Sequence, residues 1–276
     1  MKKNLSNILL LLVFITGLSL LLYPGISDYI NSKNQSRAVA AYNASAGRMT
    51  EEDYSGFFDG AEDYNRRLFE TEGAFYQPEL VDGYSDCLSI NGGSIMGYVS
   101  IDRIKVELPI YHGTSPEVLN AACGHLEGSS LPCGGESTHC VLSAHRGLPS
   151  ARLFTDLDEL EAGDTFSISV LNRAMYYKVD QILIVEPEDA DALQIVPGKD
   201  YCTLFTCTPY GINSHRLLVR GERISADTSE PRIVVPADAH MIDPLIVTPI
   251  VAAPVLLLLM IWVLFSPKKK ERSRHE

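Results

Sequence analysis

The sequence predicts a mainly β fold, either a barrel or a sandwich, between residues 95 and 224. Eight short runs in this region are rich in β-branched and aromatic residues and are bounded by turn residues. Eight strands within about 130 residues are typical of these two architectures. The 276-residue chain also has an apolar run near each end, which adds two predicted membrane-spanning helices outside the β region.

The elements follow one another from residue 51 onward. An apolar repeat of about 3.6 residues predicts a helix over 51–68, and turn signals over 69–91 predict a long connecting loop. Short helices are predicted at 116–122 and, after a Ser150 cap, at 151–160. The predicted strands are 98–101, 104–108, 139–142, 165–170, 175–179, 181–185, 201–206 and 217–219.

The first apolar run, Ile8 to Tyr23, follows Lys2 and Lys3. A secretory signal peptide has the same charge order. This run is long for a signal peptide, and Pro24-Gly25 follows it in place of a small-residue cleavage site. We therefore expect a retained anchor.

The second apolar run, Leu245 to Phe265, has 21 residues without a charge, and Lys268 to Lys270 follow it. Basic residues on the outer side of both runs predict that both termini are cytoplasmic and that the segment between the runs is extracellular. The predicted divisions are 1–25 (tail and anchor), 26–94 (helical or lid segment), 95–224 (β domain), 225–244 (linker), 245–265 (second span) and 266–276 (basic tail).

The net charge narrows the classes of partner. The chain carries −12 and its two tails carry +2 and +3, which leaves −17 for the segment between them. A domain this acidic is not typical of a nucleic-acid-binding protein, and it would not settle electrostatically on an anionic surface.

The cysteines and histidines predict neither a metal site nor a cofactor. Their spacing fits no standard zinc pattern, although His125 and His139 lie near three of the cysteines. An extracellular location permits disulfides, and Cys123 with Cys133 is the first pair to consider. The six cysteines are Cys87, Cys123, Cys133, Cys140, Cys202 and Cys207.

Cys207, Arg216 and His145 form the most complete chemical set in the chain. Cys207 ends a predicted strand, a turn sequence follows, and the chain returns in the strand after Arg216. Such a hairpin places Arg216 close to Cys207. A thiol, an imidazole and a guanidinium suffice for acyl transfer at a carbonyl. Spacing alone does not show that His145 lies near Cys207. Cys207 as a buried apolar residue and His145 as a structural histidine are the alternatives.

Other residues compete for these roles. His215 is adjacent to Arg216, and Arg146 is adjacent to His145. Because neighbouring residues on a strand face opposite sides, we expect both to point away from the site if Arg216 and His145 face it.

The run Thr203-Leu204-Phe205-Thr206-Cys207, with an arginine on the next strand and a histidine upstream, resembles the sortases. More narrowly, residues 108–164 and 203–223 resemble class C sortases, which polymerise pilins. The resemblance covers about residues 95–224 and the arrangement of two anchors.

The resemblance implies an eight-stranded β-barrel in the cell membrane of a Gram-positive bacterium. It implies that Cys207 is the nucleophile, His145 the general acid/base and Arg216 the oxyanion or substrate clamp. The implied substrate is a pilin or surface protein with an LPxTG-like sorting signal, and the implied acceptor is a lysine amine of a second pilin. Attachment of proteins to peptidoglycan, or a membrane-tethered binding module with a non-functional site, are the alternative functions.

The chain departs from class C sortases at the lid. Those enzymes carry an Asp-Pro-aromatic motif over the cysteine, whereas residues 75–82 here offer an aromatic, a proline and an acid in another order. Tyr76 is the candidate to cover Cys207, and Glu79 or Asp82 the candidate to reach Arg216. A disordered connector is the alternative.

Overall fold

The computed structural model describes residues 2–225, 252–258 and 260–262. The chain divides into two compact units, Met1–Ser27 with Asp238–Glu276, and Asp28–Ala237. The second unit contains the β domain and the site. Its strands are β1 (Ile95–Ile101), β2 (Val106–His112), β3 (Cys123–His125), β4 (Thr138–Ser143), β5 (Thr165–Val170), β6 (Arg173–Val185), β7 (Asp200–Thr208) and β8 (His215–Ile224). The helices are α1 (Lys2–Ala46), α2 (Glu51–Glu70) and the single turn α3 (Pro116–Leu119).

The eight strands close into a barrel in the order β1-β2-β3-β4-β7-β8-β6-β5. β2 pairs with β3 and β4 pairs with β7 in parallel, and the other neighbours are antiparallel. Of the two predicted architectures, the barrel is therefore correct. Closure leaves no long open sheet edge, which is the general advantage of barrels.

The number of strands is as predicted, but two of the assignments were wrong. The predicted strands 175–179 and 181–185 are one strand, β6, with a register shift at Asp180. β3 was missed because it has only three residues, one of them glycine, and shows no apolar alternation. Gly124 in β3 is required by close packing, since a Cβ there would lie 2.4 Å from the Gly113 carbonyl oxygen.

The helix predicted over 151–160 was wrong. The segment forms turns, Leu153 has a φ of 45°, and only a short 3₁₀ turn at Leu157–Glu159 is helical. Leu153, Phe154, Leu157 and Leu160 are all buried in the main core, and this packing overrides the local pattern. The Arg152 amide also donates to the Asp28 carboxylate at 2.7 Å.

The predicted helix at 51–68 is confirmed as α2. Thr50 caps it, with the Thr50 hydroxyl accepting from the Asp53 amide and the Asp53 carboxylate accepting from the Thr50 amide. Its apolar face packs into the same core as the barrel. The buried residues of α2 are Phe58, Ala61, Tyr64, Asn65 and Leu68.

The part of α1 that follows residue 27 is tied to the barrel by side-chain hydrogen bonds. The Asn31 amide donates to the Ser150 carbonyl at 2.8 Å, and Gln35 donates to the Ala121 carbonyl at 2.7 Å. The Tyr42 hydroxyl donates to the Met96 carbonyl at 2.7 Å.

Among the described residues, one helix, Asn7–Ala46, is long and apolar enough to cross a membrane. Two such helices were predicted. Most of the second, 245–265, lies outside the described residues, and the part that is described is a shorter apolar helix, Ala252–Trp262. The predicted linker from 226 and the tail 266–276 also lie outside the described residues.

Candidate active site

Cys207 and Arg216 lie opposite each other in the β7–β8 hairpin, as the sequence predicts. They are partners in the antiparallel register, one step from the end of the ladder, where Thr208 pairs with His215. The intervening turn is closed by the amides of Ile212 and Asn213, which donate to the Pro209 carbonyl at 3.1 and 2.9 Å. Both side chains are half-buried.

His145 reaches the same level through the parallel pairing of β4 with β7. Ser143 pairs with Phe205, so a chain that continues in this register brings residue 145 level with Cys207. Two hydrogen bonds extend the pairing beyond the ladder: the Ala144 amide donates to the Phe205 carbonyl at 3.2 Å, and the Thr206 hydroxyl donates to the Ala144 carbonyl at 2.8 Å. The two registers therefore bring the backbone positions of His145, Cys207 and Arg216 to the same end of the barrel.

The outer face of the barrel carries the site. On β7 and β8, Leu204 and Leu217 belong to the main core inside the barrel, whereas Phe205 and Leu218 belong to a separate apolar cluster. Because side chains alternate along a strand, Cys207 lies on the Phe205 face. This outer apolar cluster consists of Phe75, Leu126, Val141, Leu183, Val185, Ala190, Ala192, Leu193, Phe205 and Leu218.

Arg216 is held by backbone acceptors of its own loop. One guanidinium nitrogen, Nη1, donates to the carbonyls of Asn213 and His215, each at 3.1 Å. Asn213 has a φ of 60°, a left-handed conformation that asparagine tolerates better than most residues. The guanidinium is thereby fixed by its own loop, and it has no carboxylate partner among the described residues.

The two competing residues lie on the other face, as strand alternation predicts. Arg146 donates to the hydroxyl of buried Thr208 at 3.0 Å and forms an ion pair with Asp158. The Nε2 atom of His215 lies 3.2 Å from a carboxylate oxygen of Glu186. Among the described residues, neither Arg146 nor His215 hydrogen-bonds to Cys207, and the same holds for His145 and Arg216.

The segment predicted as a lid, residues 75–82, begins at the outer apolar cluster. Phe75 packs into this cluster, and Tyr76 beside it is 63% exposed, with its hydroxyl accepting from Gln194 Nε2 at 3.4 Å. We call residues 74–76 the strap. Gly128 permits its close approach, because a Cβ at this position would lie 2.5 Å from the Phe75 carbonyl oxygen.

The two acids proposed as a latch are not placed against Arg216. Glu79 and Asp82 are exposed, and no ion pair among the described residues joins either of them to Arg216. The Asp82 carbonyl instead accepts from Arg67 of α2 at 3.1 Å. Phe75 holds the strap in place. Phe75 was not predicted as a lid residue, although an aromatic residue next to Tyr76 was a sequence signal for that role.

Four of the other five cysteines are buried, where a substrate carbonyl cannot reach them. All six are free, so the considered Cys123–Cys133 disulfide is not formed. Cys123, Cys133, Cys140 and Cys202 are buried. Burial raises the pKa of Cys133 to about 12, and it also raises the pKa of Cys87 and of Cys123. Among the described residues, no cluster of three histidine, cysteine or acidic side chains could hold a metal ion.

His139 anchors the β6–β7 connection beneath the outer apolar cluster. Its Nδ1 donates to the Gln194 carbonyl at 2.9 Å, and its Nε2 lies 2.7 Å from the Thr203 hydroxyl. Burial lowers the pKa of His139 to about 4. The imidazole is therefore neutral at pH 7, with Thr203 as the donor to Nε2.

A family model described as a sortase domain matches residues 99–224. The crystal structure of sortase C1 from Streptococcus agalactiae is 49% identical in sequence, with a TM-score of 0.63, and the match covers 69% of this chain and 100% of that one. A sortase C from Streptococcus pneumoniae, whose crystal structure is presented for insights into catalysis and pilin substrate specificity, is 41% identical. Its TM-score is 0.60, and the match covers 68% of this chain and 97% of that one.

Sequence similarity extends to sortases of other classes. Sortase D of Bacillus subtilis is 29% identical over 136 residues, which span 48% of this chain and 66% of that protein. The match to sortase A of Streptococcus agalactiae spans 47% of that protein. The chain thus aligns with less than two thirds of these two curated relatives and with the whole length of the solved sortase C1.

Proposed function

Because the chain belongs to class C of the sortase family, we propose that it is a membrane-anchored cysteine transpeptidase that polymerises pilins. It would cleave an LPxTG-like sorting signal and join the new acyl group to a lysine amine of a second pilin. The observation that carries the proposal is the register: Cys207 faces Arg216 across the hairpin, and the β4–β7 pairing brings His145 to the same level.

The first half-reaction forms a thioester. Cys207 gives its proton to His145, and the sulfur attacks the carbonyl carbon of the threonine–glycine bond. Arg216 is placed to donate to the oxygen that becomes negative in the tetrahedral intermediate. The C–N bond then breaks, and His145 returns the proton to the departing glycine amine.

The second half-reaction forms the isopeptide bond. The lysine amine of a second pilin attacks the thioester carbon, and the C–S bond breaks. The proton lost by the amine passes through His145 to the sulfur of Cys207, which restores the starting state. If water replaces the amine, the outcome is hydrolysis.

The outer apolar cluster would take the apolar part of the sorting signal. It lies on the same barrel face as Cys207 and presents an apolar surface next to a charged site, the usual composition of a ligand groove. Phe75 occupies this surface in the structure, so the strap would have to move before a sorting signal could bind.

The proposed location is the cell membrane of a Gram-positive bacterium, with an extracellular catalytic unit, two membrane spans and cytoplasmic termini. The helix Asn7–Ala46 supports one span by its length and composition. Lys2 and Lys3 before the first apolar run, and Lys268 to Lys270 after the second, support the orientation.

The decisive experiment uses the detergent-solubilised full chain and a peptide with an LPxTG-like signal. Mass spectrometry should detect an acyl adduct on Cys207, and Cys207→Ala should abolish it and reduce turnover by at least about a thousandfold. Peptide binding without any adduct would favour the binding module instead.

The acceptor is tested separately. A pilin with an LPxTG-like tail should form isopeptide-linked ladders with the wild-type enzyme, and replacement of the acceptor lysine by arginine should abolish them. A thioester that is resolved only by peptidoglycan amines, with no ladder, would identify the enzyme as one that attaches surface proteins to the cell wall.

A further inference from the structure

Arg146 is the residue next to His145, and its side chain lies on the opposite face from the site. The side chain is only 9% exposed. One guanidinium nitrogen, Nη1, donates to the Thr208 hydroxyl at 3.0 Å, and the other, Nη2, forms an ion pair with the Asp158 carboxylate. The proposed reaction uses none of these three residues.

The Arg146 contacts join the two backbone segments that carry the reacting groups. Arg146 directly follows His145, and Thr208 directly follows Cys207. The Arg146–Thr208 hydrogen bond therefore fixes the spacing between the loop after β4 and the end of β7. Asp158 adds a third segment, the short helical turn Leu157–Glu159, which holds the guanidinium from the other side.

Burial of this guanidinium is not the arrangement that stability alone would favour. The Nε atom of Arg146 is buried and has no hydrogen-bond partner among the described residues. A buried charge with an unsatisfied donor is costly, and apolar residues of similar size often stabilise such sites better. The planar fork of arginine lets Nη1 donate to Thr208 while Nη2 pairs with Asp158.

We propose that Arg146 is a positioning residue that holds the His145 loop at Cys207 through Thr208 and Asp158. The proposal rests on the function proposed above, since it assigns Arg146 a task in the same site. A displacement of about 1 Å in a catalytic group can cost about a hundredfold in rate. The Arg146–Thr208 bond prevents such a displacement without touching the substrate.

The test compares Arg146→Lys, Thr208→Val, Thr208→Ser and the Arg146→Lys/Thr208→Val double variant in the full chain. Arg220→Lys is the matched control. Arg220 also forms an ion pair with an aspartate, Asp180, and is also largely buried, at 19% exposure. It lies further along β8, four residues beyond Arg216. The measurements are kcat and KM for the peptide, the rate of Cys207 alkylation as a function of pH, and thermal unfolding.

We expect Arg146→Lys to lower kcat between about 10-fold and 100-fold with KM within about twofold, and to alter the pH profile of alkylation. Thr208→Val should also lower kcat, by about 10-fold. Thr208→Ser keeps the hydroxyl and should retain most of the activity. The double variant should be no worse than Arg146→Lys, because both changes remove one interaction. Arg220→Lys should change thermal unfolding alone.

Several outcomes would overturn the proposal. They are a kcat for Arg146→Lys within twofold of wild type, additive losses in the double variant, or an unchanged alkylation profile. If Arg146→Lys fails to fold, Thr208→Val decides, since it keeps the volume of the side chain and removes one hydroxyl. If the wild type cleaves no peptide, the proposed function fails, but the alkylation profiles still report whether Arg146 positions His145.

Discussion

At the scale of single residues, His139 links stability to pH. Its ring is fully buried, and both nitrogens are satisfied in the neutral form by Gln194 and Thr203. Burial, the largest cause, and the positive charge of Arg220 lower its pKa to about 4, and the bond to the Gln194 carbonyl opposes them. The ordinary value is about 6.5. Between pH 6.5 and pH 4, His139 is therefore protonated in the unfolded chain and still neutral in the folded protein.

The free energy of unfolding should therefore fall as the pH falls from 6.5 to 4. The contribution of His139 is fully present above pH 6.5, and about 3 kcal/mol is lost near pH 4. Urea unfolding at a series of pH values measures this. His139→Gln keeps one donor and one acceptor. The free energy of unfolding of this variant should lack the part of the pH dependence that His139 causes. His112→Gln, at a half-buried ring, should retain it. An equal slope in wild type and His139→Gln would show that other groups cause the pH dependence.

Part of the site could be predicted from sequence because it is local. Cys207 and Arg216 are nine residues apart, and a hairpin with a recognisable turn brings them together. The His145–Cys207 separation is 62 residues and depends on the parallel register of two strands, which no local pattern encodes. Only the family resemblance indicated it. The role of Thr208 as a partner of Arg146 has the same long-range origin and was missed.

At the scale of elements, the strap depends on one glycine. Gly128 has a φ of 92°, and its missing side chain leaves room for the Phe75 carbonyl at 2.5 Å from the position of a Cβ. Gly128→Ala should therefore push the strap off the outer apolar cluster. We expect faster alkylation of Cys207, at most about tenfold if the strap is closed about nine-tenths of the time. The rates of Cys207 alkylation by a small and by a bulky reagent would measure how often the strap is open.

Gly163→Ala is the matched control for the strap. Gly163 also has a positive φ, 101°, but the nearest contact of its Cβ would be 4.0 Å away. An alanine at Gly163 should therefore cause similar backbone strain but no steric conflict with a neighbouring residue. Equal alkylation rates in the two variants would show that the strap does not cover Cys207. Glu79→Ala and Asp82→Ala should leave the rate within about twofold, since neither carboxylate pairs with Arg216.

The elements that the sequence mispredicted have tertiary causes. A bulge at Asp180 separates two apolar runs that form one strand. β3 exists because β2 and β4 supply partners on both sides. Residues 151–160 do not form a helix, because Leu153 has a left-handed φ of 45° and Leu153, Phe154 and Leu157 all pack into the main core. By contrast, α2 was predicted well, since its capping box and its apolar period lie within its own sequence.

At the scale of the whole molecule, the barrel and the helices before it share one core. Tyr42 and Ala46 of α1 and four residues of α2 are buried in the same cluster as the barrel interior. Among them, Tyr64 is fully buried, and Phe58 and Leu68 are 4% and 3% exposed. Each such side chain stabilises the fold by about 1.5–3 kcal/mol, so three of them approach the whole stability of a typical domain, about 5–15 kcal/mol.

We therefore predict that residues 28–225 are the folding unit and that 95–225 are not, although the latter contain the entire match to the sortase family, 99–224. The longer fragment should unfold in a single cooperative urea transition. The shorter fragment should bind a hydrophobic dye and show a broad transition or none, because its barrel exposes the surface that α1 and α2 cover. Tyr64→Ala in the longer fragment should cost about 3–5 kcal/mol. An equal urea midpoint for the two fragments would instead mean that the helices are accessory and the barrel folds alone.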